Sequence, residues 1–227
     1  MPTNQLKSPI ILINLKCYQE SIGPGAHRIA KAAREVSDES GVTISLAPMN
    51  MDIHPIKHHF GLPVFAQHFD PVEPGAHTGR IPLAAIKSVG AIGSLVNHSE
   101  YRLSIADIEK NVTALRAEGM LSCICSNNIA TTSAVATLGP DFVAIEPPEL
   151  IGGTVSVAEA NPEIITGSVQ AALKANPNVQ VLTGAGIHSG KCVKTALDLG
   201  TVGVLLASSV VKAEDPGAVL RDLVSLL

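Results

Sequence analysis

Eight short runs of β-branched and apolar residues, each followed by a stretch with helix signals, constrain the fold of this chain more than any other feature. The runs occupy 10–14, 42–46, 64–67, 92–96, 121–125, 142–145, 179–182 and 202–206. Helix candidates lie between and after them, at 25–37, near 52–58, and at 82–89, 104–117, 129–138, 162–175, 190–199 and 216–226. Ser104-x-x-Asp107 has the form of an N-terminal cap, and Gly119, Gly139 and Gly200 stand where helices would stop. Strict alternation of strand and helix implies parallel strands joined by crossover helices. With about 28 residues per unit and no break in composition, the pattern predicts an α/β fold, a (β/α)8 barrel filling 1–227 as one domain. The competing architecture is an open doubly wound sheet, which uses five or six strands and leaves two units unexplained.

Bulk composition narrows the function classes. Hydrophobic residues make up 46% of the chain, enough for a full core. Sixteen basic residues against 20 acidic ones leave no polybasic face for nucleic acid or an anionic membrane, so an anionic ligand would have to be held locally. The polar N-terminus and the short apolar run 10–13 fit neither a signal peptide nor a membrane span, and the expected location is the cytoplasm. Cys17, Cys123, Cys125 and Cys192 lack C-x-x-C spacing and read as reduced thiols, the alternating pair Cys123 and Cys125 as packing. His54, His58 and His59 include an i, i+4 pair that could hold a metal, but no acid or cysteine accompanies them, and a solvated surface trio is the expectation.

Barrel enzymes carry their chemistry at the C-terminal ends of strands. The sixth run ends in Glu146, followed by Pro147 and Pro148, which bias the chain to extended geometry, and by the flexible stretch Ile151-Gly152-Gly153-Thr154. This reads as a base beside a hinged lid, or as a solvated strand-end glutamate before a proline turn. The first run ends in Asn14 and Lys16, two apart and so expected to share a face, with Lys16 either meeting an anion or snorkelling to water. The fourth run is followed by Asn97-His98-Ser99-Glu100-Tyr101-Arg102, in which His98 is the candidate electrophile or acid, or a structural histidine. After the seventh and eighth runs come Thr183-Gly184-Ala185-Gly186-Ile187 and Leu206-Ala207-Ser208-Ser209, small residues that let backbone N–H groups approach an anion ahead of a helix. Gly184-x-Gly186-x-x-x-Gly190 is one residue too long for a dinucleotide fingerprint, so phosphate without nucleotide is the reading.

Taken in order, Asn14-Leu15-Lys16, Phe65-Ala66-Gln67-His68, Gly75-Ala76-His77-Thr78-Gly79, Asn97-His98-Ser99-Glu100, the run from Ile145 to Gly152, Gly184-Ala185-Gly186-Ile187 and Leu205-Leu206-Ala207-Ser208 resemble the triosephosphate isomerases of the short archaeal type. The resemblance implies interconversion of dihydroxyacetone phosphate and D-glyceraldehyde 3-phosphate, in glycolysis and gluconeogenesis, without cofactor or metal. It implies Glu146 as base and His98, kept neutral by a helix N-terminus, as electrophile; such tuning is standard for this family. Lys16 and Asn14 would contact substrate, with Glu100 as a supporting ionic partner. Backbone groups near Ile151, Gly152, Gly186, Ala207 and Ser208 would hold the phosphate under a lid running from Pro147 to about Thr154. The loop Gly75–Gly79 would dock into a neighbouring subunit, giving a dimer or tetramer. The chain departs from the family pattern at Gly153-Thr154 in the lid, at Tyr101, often basic, and at Ser209, often glycine and strained here if the backbone needs positive φ. Two other readings remain: an idle phosphate-binding barrel, and another phosphosugar isomerase or aldolase. An aldolase would need a Schiff-base lysine at a later strand end. Lys57, Lys87, Lys110, Lys174, Lys191, Lys194 and Lys212 all fall in expected helices or their flanks.

Overall fold

The computed structural model describes residues 6–147 and 160–227. Its strands are β1 (Ile10–Asn14), β2 (Thr43–Ala47), β3 (Phe65–Ala66), β4 (Gly93–Val96), β5 (Leu121–Ser126), β6 (Phe142–Ile145), β7 (Gln180–Gly184) and β8 (Gly203–Leu206). Within the described residues the α-helices are α1 (Pro24–Ser40), α2 (Asn50–Phe60), α3 (Leu83–Ser88), α4 (Ile105–Ala117), α5 (Ile129–Ala136), α6 (Pro162–Ala175), α7 (Gly190–Asp198), α8 (Ser208–Val211) and α9 (Pro216–Val224), with a 3-10 turn at Gln19–Ser21. All strand pairs are parallel, in the order β2-β1-β8-β7-β6-β5-β4-β3. The bridge Leu46–Val64 and the bond from Leu46 N–H to Pro63 O, 3.2 Å, join β2 to the segment entering β3, so the sheet returns on itself as a (β/α)8 barrel. The open-sheet alternative is thereby set aside.

Side-chain alternation produces the two layers. Ile10, Leu12, Phe65, Leu95, Cys123, Cys125, Phe142, Ala144, Leu182 and Leu205 pack together inside the barrel, while the intervening Ile11, Ile13, Val96, Val143, Ile145, Val181 and Val204 pack against the helices. Room inside is limited. A Cβ at Gly93 would lie 2.3 Å from Leu121 O and 2.8 Å from the Phe65 ring, so the absence of a side chain on β4 is what admits Phe65. β3 is shorter than the sequence suggests because Gln67 leaves the ladder. Its side-chain amide donates instead to Lys16 O (2.9 Å) and Ala47 O (3.0 Å), tying the ends of β1, β2 and β3 together.

Helix boundaries follow local chemistry. In α1, Pro24 sits in the first turn, Ala26, Ile29, Ala30, Ala33 and Val36 form the buried stripe, and Gly41 at φ 71° ends it. Ser104 caps α4 by accepting the Asp107 N–H at 3.2 Å, as its spacing predicted. α8 has no counterpart among the sequence expectations, since four residues are too few to display a helical period. Among the described residues no helix is long and apolar enough to cross a membrane. All four cysteines are free. His54 and His58 stack on α2 with ring centroids 5.7 Å apart, and no group of three or more potential metal ligands occurs among the described residues.

Candidate active site

A cavity of about 430 Å3 opens at the C-terminal ends of the strands, lined by Asn14, Lys16, Tyr18, His98 and Glu146 on one side and by residues 185–188 and 205–209 on the other. A larger cavity, about 800 Å3, lies outside the barrel between residues 69–74, α3 and α4. The smaller one is the candidate site, because it alone of the two gathers strand ends and converging polar groups.

Glu146 continues the inward alternation of Phe142 and Ala144, and its N–H donates to Ser126 O at 2.8 Å. The side chain is buried, and among the described residues nothing donates to its Oε2. Space for it comes from the next strand: a Cβ on Gly184 would fall 2.3 Å from Glu146 Cγ. Beneath it lie two buried thiols. Burial lifts Cys125 well above the ordinary thiol range and the Glu146 carboxylate lifts it further, and the same two causes raise Cys123. Both are neutral packing groups, as expected from the sequence.

His98 faces Glu146, Nε2 to Oε1 3.6 Å. By alternation it would follow Ser94 and Val96 out of the barrel. Asn97 prevents that: at φ 62° it breaks the period, and it is held there by donating to Cys125 O (3.0 Å) and accepting the Leu103 N–H (3.0 Å). Asn97 was not singled out in the sequence; asparagine's tolerance of the left-handed region is the signal that could have found it. His98 Nδ1 accepts the Glu100 N–H at 3.3 Å, which leaves the ring proton on Nε2, directed toward Glu146 and the cavity. The Glu100 carboxylate is farther from Nδ1, at 3.6 Å. The donor belongs to the turn after β4, not to a helix N-terminus as the resemblance implied, since α4 begins only at Ile105.

Asn14 and Lys16 share the mouth, but not through extended geometry. Lys16 lies past the end of β1 at φ 50°, and its N–H donates to Asn14 Oδ1 at 3.0 Å. Its side chain is 10% exposed and its Nζ lies 2.6 Å from Glu100 Oε1, which pairs the ammonium while holding it at the cavity.

Across the cavity the chain contributes backbone. Ala185 and Gly186 are both left-handed, at φ 74° and 69°. Ser209 is not strained: it lies in α8, and its Oγ donates to Ile187 O at 2.8 Å, linking the β7 and β8 loops. The departure from glycine therefore adds a tie between the two loops. Ile151, Gly152 and the lid beyond Pro147 lie outside the described residues. The Gly75–Gly79 loop is exposed, and at its base Asp70 accepts from Arg80 Nη1 (2.8 Å) and Ile81 N–H (2.8 Å). Tyr101, at the position often basic in the family, packs edge-on to His68.

The family model described as triosephosphate isomerase matches residues 9–226. A protein named triosephosphate isomerase from Methanoculleus marisnigri is 59% identical over 222 residues, covering 98% of this chain and 100% of its own. Those of the same name from Methanosarcina barkeri and Methanocaldococcus jannaschii are 52% and 49% identical, each covering 96% of this chain and 99% and 100% of their own. With the family model matched over residues 9–226 and relatives of 49–59% identity covering nearly the whole chain, the chain belongs to the triosephosphate isomerase family.

Proposed function

We propose that this cavity interconverts D-glyceraldehyde 3-phosphate and dihydroxyacetone phosphate through an enediolate, in glycolysis and gluconeogenesis. The carrying observation is the pairing of a buried carboxylate, Glu146, whose Oε2 has no donor among the described residues, with the Nε2–H of His98 across the same cavity.

In this reading Glu146 accepts the proton from the carbon next to the carbonyl, and the electron pair left behind forms the C–C double bond while the carbonyl oxygen becomes anionic. His98 Nε2–H donates to that oxygen, and Lys16 Nζ supplies positive charge to the enediolate and the phosphate. The Asn14 side-chain oxygen accepts the Lys16 N–H, which leaves its amide nitrogen as a second donor to the substrate. His98 passes its Nε2 proton to the enediolate oxygen and takes the proton of the neighbouring hydroxyl in return. Glu146 delivers its proton to the former carbonyl carbon, and the C=O re-forms on the neighbouring one. Glu146 and His98 thus serve as proton acceptor and donor at every stage, and the scheme calls on neither metal nor cofactor. Gly186, Ala207 and Ser208 would present backbone N–H groups to the phosphate. The lid, with Ile151 and Gly152, would close over it and keep water from the enediolate, whose competing fate is loss of phosphate. We further place the whole chain, 1–227, in one domain, and the Gly75–Gly79 loop in a homo-oligomer contact, a dimer or tetramer.

The test is a coupled assay of glyceraldehyde 3-phosphate conversion with wild type beside Glu146→Asp, and a control for released phosphate. Withdrawing the carboxylate by about one methylene should lower kcat by about 10²-fold or more, because displacement on the ångström scale is that costly to a reacting pair. A folded wild type that binds phosphate but does not isomerise would leave the idle phosphate-binding barrel as the reading.

A further inference from the structure

One side chain on the rim of this cavity has no part in the reaction above. His188 closes the loop after β7, on the side where the site is made of backbone. Ala185 and Gly186 begin that loop in left-handed geometry, which Gly186 adopts freely but which Ala185, with its Cβ, keeps only where its surroundings hold it. Two hydrogen bonds hold the loop. His188 Nδ1 lies 2.8 Å from Gly186 O, and since a carbonyl only accepts, the ring nitrogen is the donor. Ser209 Oγ donates to the next carbonyl, Ile187 O. A trans peptide sets its C=O and N–H on opposite sides, so fixing these two carbonyls also fixes the direction of the Ile187 and His188 N–H groups. Among the described residues no acceptor takes the N–H of Gly186, Ile187 or His188. The imidazole is itself backed by Cys192 Sγ, 3.8 and 3.9 Å from its two nitrogens.

We propose that His188 is a positioning residue for phosphate recognition: its Nδ1–H holds the Gly186 carbonyl turned away from the cavity so that the amides of the β7 loop stay open to a phosphate ester. This rests on the reading that the cavity takes a phosphorylated substrate. The role concerns binding of the phosphate group rather than proton transfer, so its loss should appear in KM and in inhibition by inorganic phosphate before it appears in kcat.

The experiment compares wild type, His188→Ala and His188→Asn for kcat, KM and competitive inhibition by inorganic phosphate, with phosphate binding also measured directly by calorimetry. His188→Ala should raise KM and the phosphate dissociation constant together by about five- to tenfold, the worth of one hydrogen bond, with kcat changed less. His188→Asn, whose amide nitrogen can reach the same carbonyl, should recover most of that loss. Unchanged phosphate affinity in the alanine variant, or equal loss in both variants, would overturn the proposal. Calorimetry keeps the two readings apart: a wild type that binds phosphate without isomerising sinks the isomerase assignment, while the His188 comparison is still decided by binding.

Discussion

The mouth of the barrel is made of two unlike arcs. From β1 round to β6 it carries side chains, Asn14, Lys16, His98 and Glu146, each aimed by a strand end or a single left-handed residue. Across β7 and β8 it carries almost bare backbone, at Gly184, Ala185, Gly186, Ala207 and Ser208. On the proposed function, the difference shows how two tasks would divide. Proton transfer needs particular functional groups within about 3 Å of particular atoms, which only side chains can supply. A phosphate dianion is satisfied by several weak donors of fixed direction, which backbone N–H groups provide without side-chain entropy to lose.

The comparison would be broken most sharply at His98. His98→Asn keeps a donor but moves it, so kcat should fall by about 10²- to 10³-fold, the usual cost of one displaced donor to a developing oxyanion, with little change in phosphate inhibition. A variant that lost phosphate affinity instead would show that the two arcs do not divide the work this way.

A smaller but more revealing change is Gly184→Ala, which pushes the backbone arc into the side-chain arc. The new Cβ would meet Glu146 Cγ at 2.3 Å, and neither backbone can retreat freely, since Gly184 is paired with Leu205 in the sheet and Glu146, directly after β6, donates its N–H to Ser126 O. Overpacking of this kind costs about 1–3 kcal/mol, visible as a fall of several degrees in Tm. Because the displaced group is the proposed base, kcat should fall as well, by about tenfold or more. Lost stability with full kcat would mean that Glu146 relaxes along its own side chain, and that the glycine serves packing alone.

The same division decides what could be read from sequence. Glu146, Lys16 and His98 stand out because each is a functional residue ending or following an apolar run, and eight such runs alternating with helix signals point to the barrel. What escaped are the residues whose contribution is conformational. Asn97 turns His98 inward through its own φ, Gly184 acts by lacking a Cβ that would strike a residue 38 positions away in the chain, and Gln67 replaces ladder bonds with its amide. None of these depends on residue chemistry alone. Ser209 shows the converse: its sequence position raises strain only on condition of a positive φ, and that condition fails, because α8 begins early enough to give it helical geometry and a hydrogen bond. A four-residue helix has no period to read, so nothing in the residue pattern announces it.

The weakest expected effect falls on the ion pair at the outer edge of the side-chain arc, between Lys16 and Glu100. Its distance, 2.6 Å, suggests strength, but the Glu100 side chain is 56% exposed, and a pair open to water on one side is worth about 0–1 kcal/mol. Glu100→Gln removes the charge while keeping the backbone N–H that fixes the His98 ring, so the tautomer should survive. Lys16, 10% exposed and bonded through its own N–H to Asn14, should stay at the cavity without its partner. The expected result is kcat within about threefold of wild type and Tm within a few degrees, as for an exposed ion pair. Steady-state kinetics on this variant checks it: a hundredfold loss would place the Glu100 carboxylate inside the reacting arc, acting on Lys16 or on the His98 ring 3.6 Å away, and not beside it as a supporting partner.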